Sequence, residues 1–442
     1  MGIEGERVLG GLLQAMHLCA MEDLPREIAS HARRVGFSQI VIYTTDLQQQ
    51  LLVPLPGQSG SDGAVPRTVR IDGTLPGRAF RLVEIVRTRP VAGPATSEPA
   101  ADPATSEPAA DPATSEPAAG PGTAEQEEAP GGEGARRLWV PMLDGTERVG
   151  VLGVTVPHDD ELAESRVKNL AALAAVLLIS KRPHSDSYAR LVRTRPLTLS
   201  AEVLWNLLPP GTFATEDVVV SAALEPAYDV GGDAYDFGLD GRILRLAVFD
   251  AMGHDTSAGL TATLAIGAFR NSRRLGAGLP ETASAVDAAI SEQFTGRFAT
   301  GILAELDLGT GVLSWVNRGH HPPLVIREGR LVATLEGVPD PPMGLGLDAS
   351  TGLLSYQLQP RDRLLFYSDG IIEAQSPGGE LFGLERFIDF VVRREADGMA
   401  APETLRRLIQ AILEHQRGRL QDDATVLTVE WRDTQRARGL TL

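Results

Sequence analysis

The segment RILRLAVFD, residues 242–250, followed by AMGHD at 251–255, holds the key to this chain. Apolar residues dominate it and an aspartate ends it, so it reads as a buried strand with a carboxylate mounted at its tip. Three further stretches repeat the arrangement. VGGDAYD (230–236) carries Asp233, and DRLLFYSDG (362–370) ends on Asp369-Gly370. In QDDATVLTVEW (421–431), Asp422 and Asp423 open a final strand. A single aspartate at a strand end usually caps a turn. Four of them, on stiff mounts far apart in sequence, allow carboxylates to converge. Hard divalent cations such as Mg²⁺ and Mn²⁺ take oxygen ligands of this kind and keep several waters. Two such ions can share a hydroxide and clamp a phosphoryl group for in-line attack. Gly231, Gly232, Gly253 and Gly370 stand beside the aspartates, where the backbone must turn tightly or approach closely.

With FDAMGHD (249–255), NRGHHPPL (317–324), LLFYSDGIIEA (364–374), GELFG (379–383) and DDATVL (422–427), the set resembles the metal-dependent PPM-type protein phosphatases, specifically their bacterial SpoIIE-like branch. These segments span about half of the chain, and AEVLWNLLPP (201–210) is similar to the stretch that precedes the catalytic domain in such regulators. The resemblance implies an α/β (α+β) fold, with a C-terminal αββα sandwich holding two divalent cations, Mn²⁺ or Mg²⁺, at one end of its sheets. It implies that Asp250 bridges both ions and the attacking water, that Asp233 and Asp369 each bind one ion, and that Asp422 completes the set. Residue 251 would contribute its backbone carbonyl. The family commonly has glycine there and this chain has Ala251, an exchange that a carbonyl ligand survives. Asp423 is expected to be a neighbour in the turn, with Asp423→Asn much milder than Asp422→Asn. Eukaryotic relatives carry a histidine two residues after the bridging aspartate; here the position is Met252, with His254 close by. His320 and His321 are expected to be structural. The implied reaction is direct hydrolysis of phosphoserine or phosphothreonine in a protein such as an anti-anti-sigma factor. A non-catalytic scaffold and a hydrolase of small phosphoesters are the alternatives.

The N-terminal half has another pattern. Val8, Leu9, Leu12, Leu13 and Met16 follow helical spacing, and Ile28, Ala29, Ala32 and Val35 mark a second helix. SQIVIYTTD (38–46) and LLVPL (51–55) read as strands. LWVPML (138–143) and VGVLGVTV (149–156) read as a hairpin turned at Asp144-Gly145, and an apolar helix follows from about Glu161 to Ser180. Between these halves PATSEPAAD occurs at Pro94 and Pro103, and a third copy at Pro112 ends in Gly120. Proline, alanine and acidic residues cannot bury enough apolar surface to offset ordering entropy, so 94–134 is expected to be a disordered insertion. It interrupts a domain: neither side alone has a complete sheet, while together residues 1–182 resemble a GAF-like sensor domain. Residues 183–212 are expected to form a connector, its helix capped by Ser200 and stopped at Pro209-Pro210. Its face of Val203, Leu204, Leu207 and Leu208 packs either on its own catalytic domain, 213–432, or across a homodimer. Residues 433–442 are a tail.

The totals agree with this picture. The 442 residues suffice for two or three domains, and a formal net charge of −17 opposes binding to nucleic acid. The single cysteine, Cys19, excludes an intrachain disulfide and a thiolate cluster. The opening residues lack a basic segment followed by an apolar core, and the longest apolar run, 170–179, is too short to span a bilayer. A cytoplasmic protein with no membrane partner is the expectation.

Overall fold

A computed structural model describes residues 19–58, 65–88, 135–229, 231–348, 352–418 and 420–432. The stretch around Val8 to Met16, the repeat tract 94–134 and the tail 433–442 lie outside the described residues. The chain falls into two compact units that divide between Val192 and Arg193, except that residues 47–49 and 145–147 group with the second unit. No helix among the described residues is long and apolar enough to cross a membrane.

The first unit contains α1 (Leu24–Arg33), β1 (Ser38–Thr45), β2 (Leu51–Pro54), β3 (Val69–Arg70), α2 (Leu75–Leu82) and β4 (Val86–Arg87). After the tract come β5 (Arg136–Asp144), β6 (Glu147–Val156), α3 (Glu161–Lys181) and α4 (Asp186–Leu191). The strands form one sheet in the order β3-β2-β1-β6-β5-β4. Val86 pairs with Trp139, so strands from both sides of the tract share this sheet. The two-residue period of a strand sorts the side chains. Ile40, Ile42, Leu138, Val140 and Met142 join the core beneath α1 and α3. Tyr43, Leu52, Val86 and Trp139 pack on the opposite face with Ala79 and Phe80 of α2.

The expected connector is not one element, because residues 193–212 group with the second unit. Its helix, α5 (Leu199–Leu207), is capped by Thr198, whose hydroxyl accepts the Ala201 N–H at 3.3 Å. Ser200, the expected cap, already lies inside the first turn and is buried; extended backbone at Thr198 puts the capping hydroxyl there instead. Ala201 and Leu204 enter the second unit's core, with Trp205, Leu207 and Leu208 packed against it. Val203 is not part of that face.

In order, the second unit continues with β7 (Thr212–Ala214), β8 (Val218–Glu225), β9 (Asp233–Asp240), β10 (Ile243–Ala251), α6 (Thr256–Arg274) and α7 (Leu279–Gln293). Next come β11 (Ala299–Asp307), β12 (Val312–Arg318), β13 (Leu324–Arg327), β14 (Arg330–Thr334), β15 (Leu354–Gln357) and β16 (Arg363–Tyr367). It closes with α8 (Asp369–Ile372), α9 (Leu384–Ala396), α10 (Ala401–His415) and β17 (Ala424–Trp431). One sheet has the order β15-β12-β11-β10-β9 and the other β14-β13-β16-β17-β8-β7. Val218, Val220, Leu364, Phe366, Leu427 and Val429 face the first sheet. Alternate residues Leu365, Tyr367, Ala424 and Val426 face α9 and α10. On β10, Phe249 meets Phe269 of α6 edge-on at 6.2 Å, so the odd-numbered positions face the helices. Leu244, Leu246, Val248 and Asp250 therefore point between the sheets. Two sheets face to face with helices outside each make a four-layer αββα sandwich.

A buried ion cluster ties α5 to this sandwich. Asp236 is fully buried and accepts from Arg270 Nε at 3.0 Å and Nη2 at 2.6 Å, with Arg273 Nη2 at 3.3 Å. The same Arg270 Nη2 donates to the carbonyl of Leu207, at the end of α5, at 2.6 Å. One guanidinium thus supplies both a counter-charge for a desolvated carboxylate and a partner for an orphan helix carbonyl.

Candidate metal centre

Antiparallel pairing places Asp250, near the end of β10, directly opposite Asp233 of β9 and Thr300 of β11. Residues opposite one another share a sheet face, so Asp233, Asp250 and Thr300 form a row at one end of the sandwich. Asp233 is 2% exposed, and Asp250 is half-buried. Asp369 lies just beyond β16, where it opens the short helix α8 instead of ending the strand. Asp422 is exposed, two residues before β17, and its Oδ1 accepts the N–H of Asp423 at 2.9 Å. Ala251 is the last residue of β10, and its carbonyl oxygen lies against Gly232: a Cβ there would stand 2.1 Å from it. Only glycine permits that approach.

The carboxylates act on one another. Burial, then Asp369, Asp422 and Asp423, push the Asp250 carboxyl up to about 7. Burial and the neighbouring Asp250 and Asp423 hold Asp233 well above the usual carboxylate range. Asp369 is raised by burial and by Asp422. Among the described residues, no three His, Cys, Asp or Glu side chains converge tightly enough to hold an ion by themselves. The donor set fits the looser mode of Mg²⁺ and Mn²⁺, which use one or two carboxylates each and keep waters in the remaining positions. Crowded, desolvated anions also have the charge imbalance that a divalent ion offsets.

Residues 240–432 match the family model described as stage II sporulation protein E (SpoIIE). The second unit is a SpoIIE-family domain. The chain is 26% identical over 262 residues to protein IcfG of Synechocystis, covering 52% of this chain and 40% of that one. It is 23% identical over 190 residues to phosphoserine phosphatase RsbP of Bacillus subtilis, covering 42% and 47%. It thus spans less than half the length of these curated relatives. Among solved structures, the RsbU and RsbW domains of a Mycobacterium tuberculosis protein align at 25% identity with a TM-score of 0.43, covering 50% of this chain and 62% of that one.

The SpoIIE-family domain assembles its aspartates on a bracket that the sequence did not reveal. Asp423, expected to be only a turn neighbour, is buried, and its Oδ2 accepts the N–H groups of Gly231, Gly232 and Asp233 at 2.7, 2.7 and 3.0 Å. Burial pushes its carboxyl up to about 6, while those three donors hold it down. The Asp423 carbonyl in turn packs on Gly370, where a Cβ would lie 1.8 Å away. Segments 231–233, 368–370 and 423–425 therefore lock together around the row of aspartates. Arg297 steadies the next loop, donating from Nη1 to the Met252 carbonyl at 3.0 Å and from Nη2 to Asp255 at 2.7 Å. Asp255 caps α6 through the Ala258 N–H at 2.8 Å. Met252 and His254 are both exposed on this loop.

His320 of the SpoIIE-family domain is buried, and its Nδ1 lies 2.9 Å from the Thr300 hydroxyl. Asn317 brackets its backbone, accepting the His320 N–H at 2.8 Å and donating to its carbonyl at 2.9 Å. His321 stacks on Tyr367 with centroids 5.6 Å apart. Burial, and then His321, lower the His320 imidazole from 6.5 to about 4. The unfolded chain thus takes up this proton first, so stability is full above pH 6.5 and falls as pH drops towards 4. The loss between pH 7 and pH 5 is about 2 kcal/mol from this group. Urea unfolding of His320→Asn should show a pH dependence shallower by that amount; an unchanged slope would mean that His320 is not held neutral by the fold.

Proposed function

We propose that the second unit is a Mn²⁺- or Mg²⁺-dependent phosphoserine/phosphothreonine phosphatase. The observation that carries this reading is the meeting of Asp233, Asp250, Asp369 and Asp422 at one end of a SpoIIE-family sandwich. Asp250 interacts electrostatically with Asp233, Asp369 and Asp422, which supports its reading as a residue shared by two ions. Asp233 and Asp369 would each serve one ion, Asp422 would complete the set, and Ala251 would offer its carbonyl. Two bound ions supply water activation and neutralise charge on the phosphoryl oxygens. The chain's own part is to hold the carboxylates on strand ends and tight turns, aimed before substrate arrives.

The name of the RsbP relative, a phosphoserine phosphatase, supports a phosphoserine-bearing substrate, and we infer a phosphorylated partner of the anti-anti-sigma type in a bacterial signalling cascade. In the same reading the first unit is a GAF-like sensor, a contributor to homodimerisation, and the chain works in the cytoplasm. The test is phosphate release from a phosphoserine-bearing protein of that type by the full chain, with Mn²⁺ and with EDTA. Release that requires Mn²⁺ is expected. Equal release in EDTA would overturn the metal reading. Turnover of an aryl phosphate with no phosphoprotein hydrolysed would point to a small phosphoester as substrate.

A further inference from the structure

We propose, resting on the phosphatase reading above, that Ser368 is a positioning residue that fixes which oxygen of Asp233 is offered to a divalent cation. Ser368 is fully buried between β16 and α8, immediately before Asp369. Its hydroxyl accepts the N–H of Thr425 at 2.9 Å and lies 2.6 Å from Asp233 Oδ2. A hydroxyl has one proton to give, and an ionised carboxylate can only accept. With Thr425 donating to it, Ser368 directs its proton to Asp233; the other acceptor in range, the Asp423 carbonyl, is far longer at 3.4 Å. Oδ2 thereby spends a lone pair on Ser368, which leaves Oδ1 the less encumbered oxygen for an ion.

The division of labour is clear from the contacts. Asp423 fixes the backbone of Asp233 through its N–H. That bond leaves the carboxyl plane free, because the terminal torsion of an aspartate is broad and nearly two-fold. The charge-assisted bond from Ser368 removes that freedom. It also links the two ligand segments, since the residue that aims Asp233 is the one preceding Asp369. Partners that orient metal ligands in this way typically alter metal affinity by about 10–100-fold when removed.

The test uses the full chain and measures Mn²⁺ binding directly, from the electron paramagnetic resonance of free Mn²⁺, alongside turnover. Ser368→Ala should raise the Mn²⁺ dissociation constant about tenfold, while kcat at saturating Mn²⁺ changes much less. In Asp233→Asn, adding Ser368→Ala should weaken binding no further, because the hydroxyl acts through that carboxylate. Additive losses, or unchanged Mn²⁺ binding in Ser368→Ala, would overturn the proposal while leaving the phosphatase reading intact. Unchanged Mn²⁺ binding in Asp233→Asn would remove the site reading and the proposal together. If Ser368→Ala does not fold, Ser368→Cys keeps the shape with a much weaker donor, and the same outcomes apply.

Discussion

Asp250→Asn should abolish metal-dependent turnover, by about three orders of magnitude, and yet leave the metal-free protein at least as stable as the parent. The two effects separate because the carboxylate is costly to the fold and indispensable to the ions. Burial and three neighbouring aspartates already push its carboxyl up to about 7. A carboxyl whose folded value lies above the unfolded 3.8 favours the unfolded state once it ionises there, so its cost begins near pH 4 and is complete above pH 7. Asparagine has the same shape without the charge, so the gain in thermal midpoint should appear in EDTA at pH 8 and vanish near pH 4. With Mn²⁺ the order should reverse, because the parent alone gains stability from binding. Turnover close to that of the parent, or loss of activity accompanied by a lower midpoint in EDTA at pH 8, would show that Asp250 is a structural residue.

The four aspartates were legible because a strand announces itself by apolar alternation, and a charged residue at its end has few places to go. Asp250 stands near its strand end. Asp369 and Asp422 are displaced slightly, Asp369 onto the first turn of a helix two residues past β16 and Asp422 two residues before β17. Ser368 and Asp423 were not legible, since their roles depend on three chain segments meeting, the outer two about 190 residues apart. Nothing in YSDG or QDDA marks which residue will be buried. Helices α7, α9 and α10 also escaped notice, and their starts explain why. Gly278, Gly383 and Ala400 precede them, and none provides a side-chain cap. The helix of the expected connector was found from its apolar spacing, but two nearby hydroxyls competed for its start. Thr198 won because its backbone is still extended where that of Ser200 is already helical.

Asp423→Ala should lower stability by about 3–5 kcal/mol and remove activity with it. One carboxylate oxygen serves three consecutive N–H groups, those of Gly231, Gly232 and Asp233, and all three bonds are buried. Alanine leaves each donor without an acceptor, at a cost of about 1–3 kcal/mol apiece before relaxation. The loop that carries Asp233 should then drift, and the ligand with it. Asp423→Asn keeps one acceptor oxygen and relieves repulsion from Asp422, so its loss should be smaller, about 1–2 kcal/mol. Asp422 is exposed, and Asp422→Asn should stay within about 0.5 kcal/mol of the parent in stability while turnover collapses. Urea unfolding in EDTA, read beside Mn²⁺-dependent turnover, distinguishes the two neighbours. If Asp423→Ala unfolds at the parent's midpoint, the three backbone bonds do not hold the loop, and the ligands must be positioned by some other part of the sandwich.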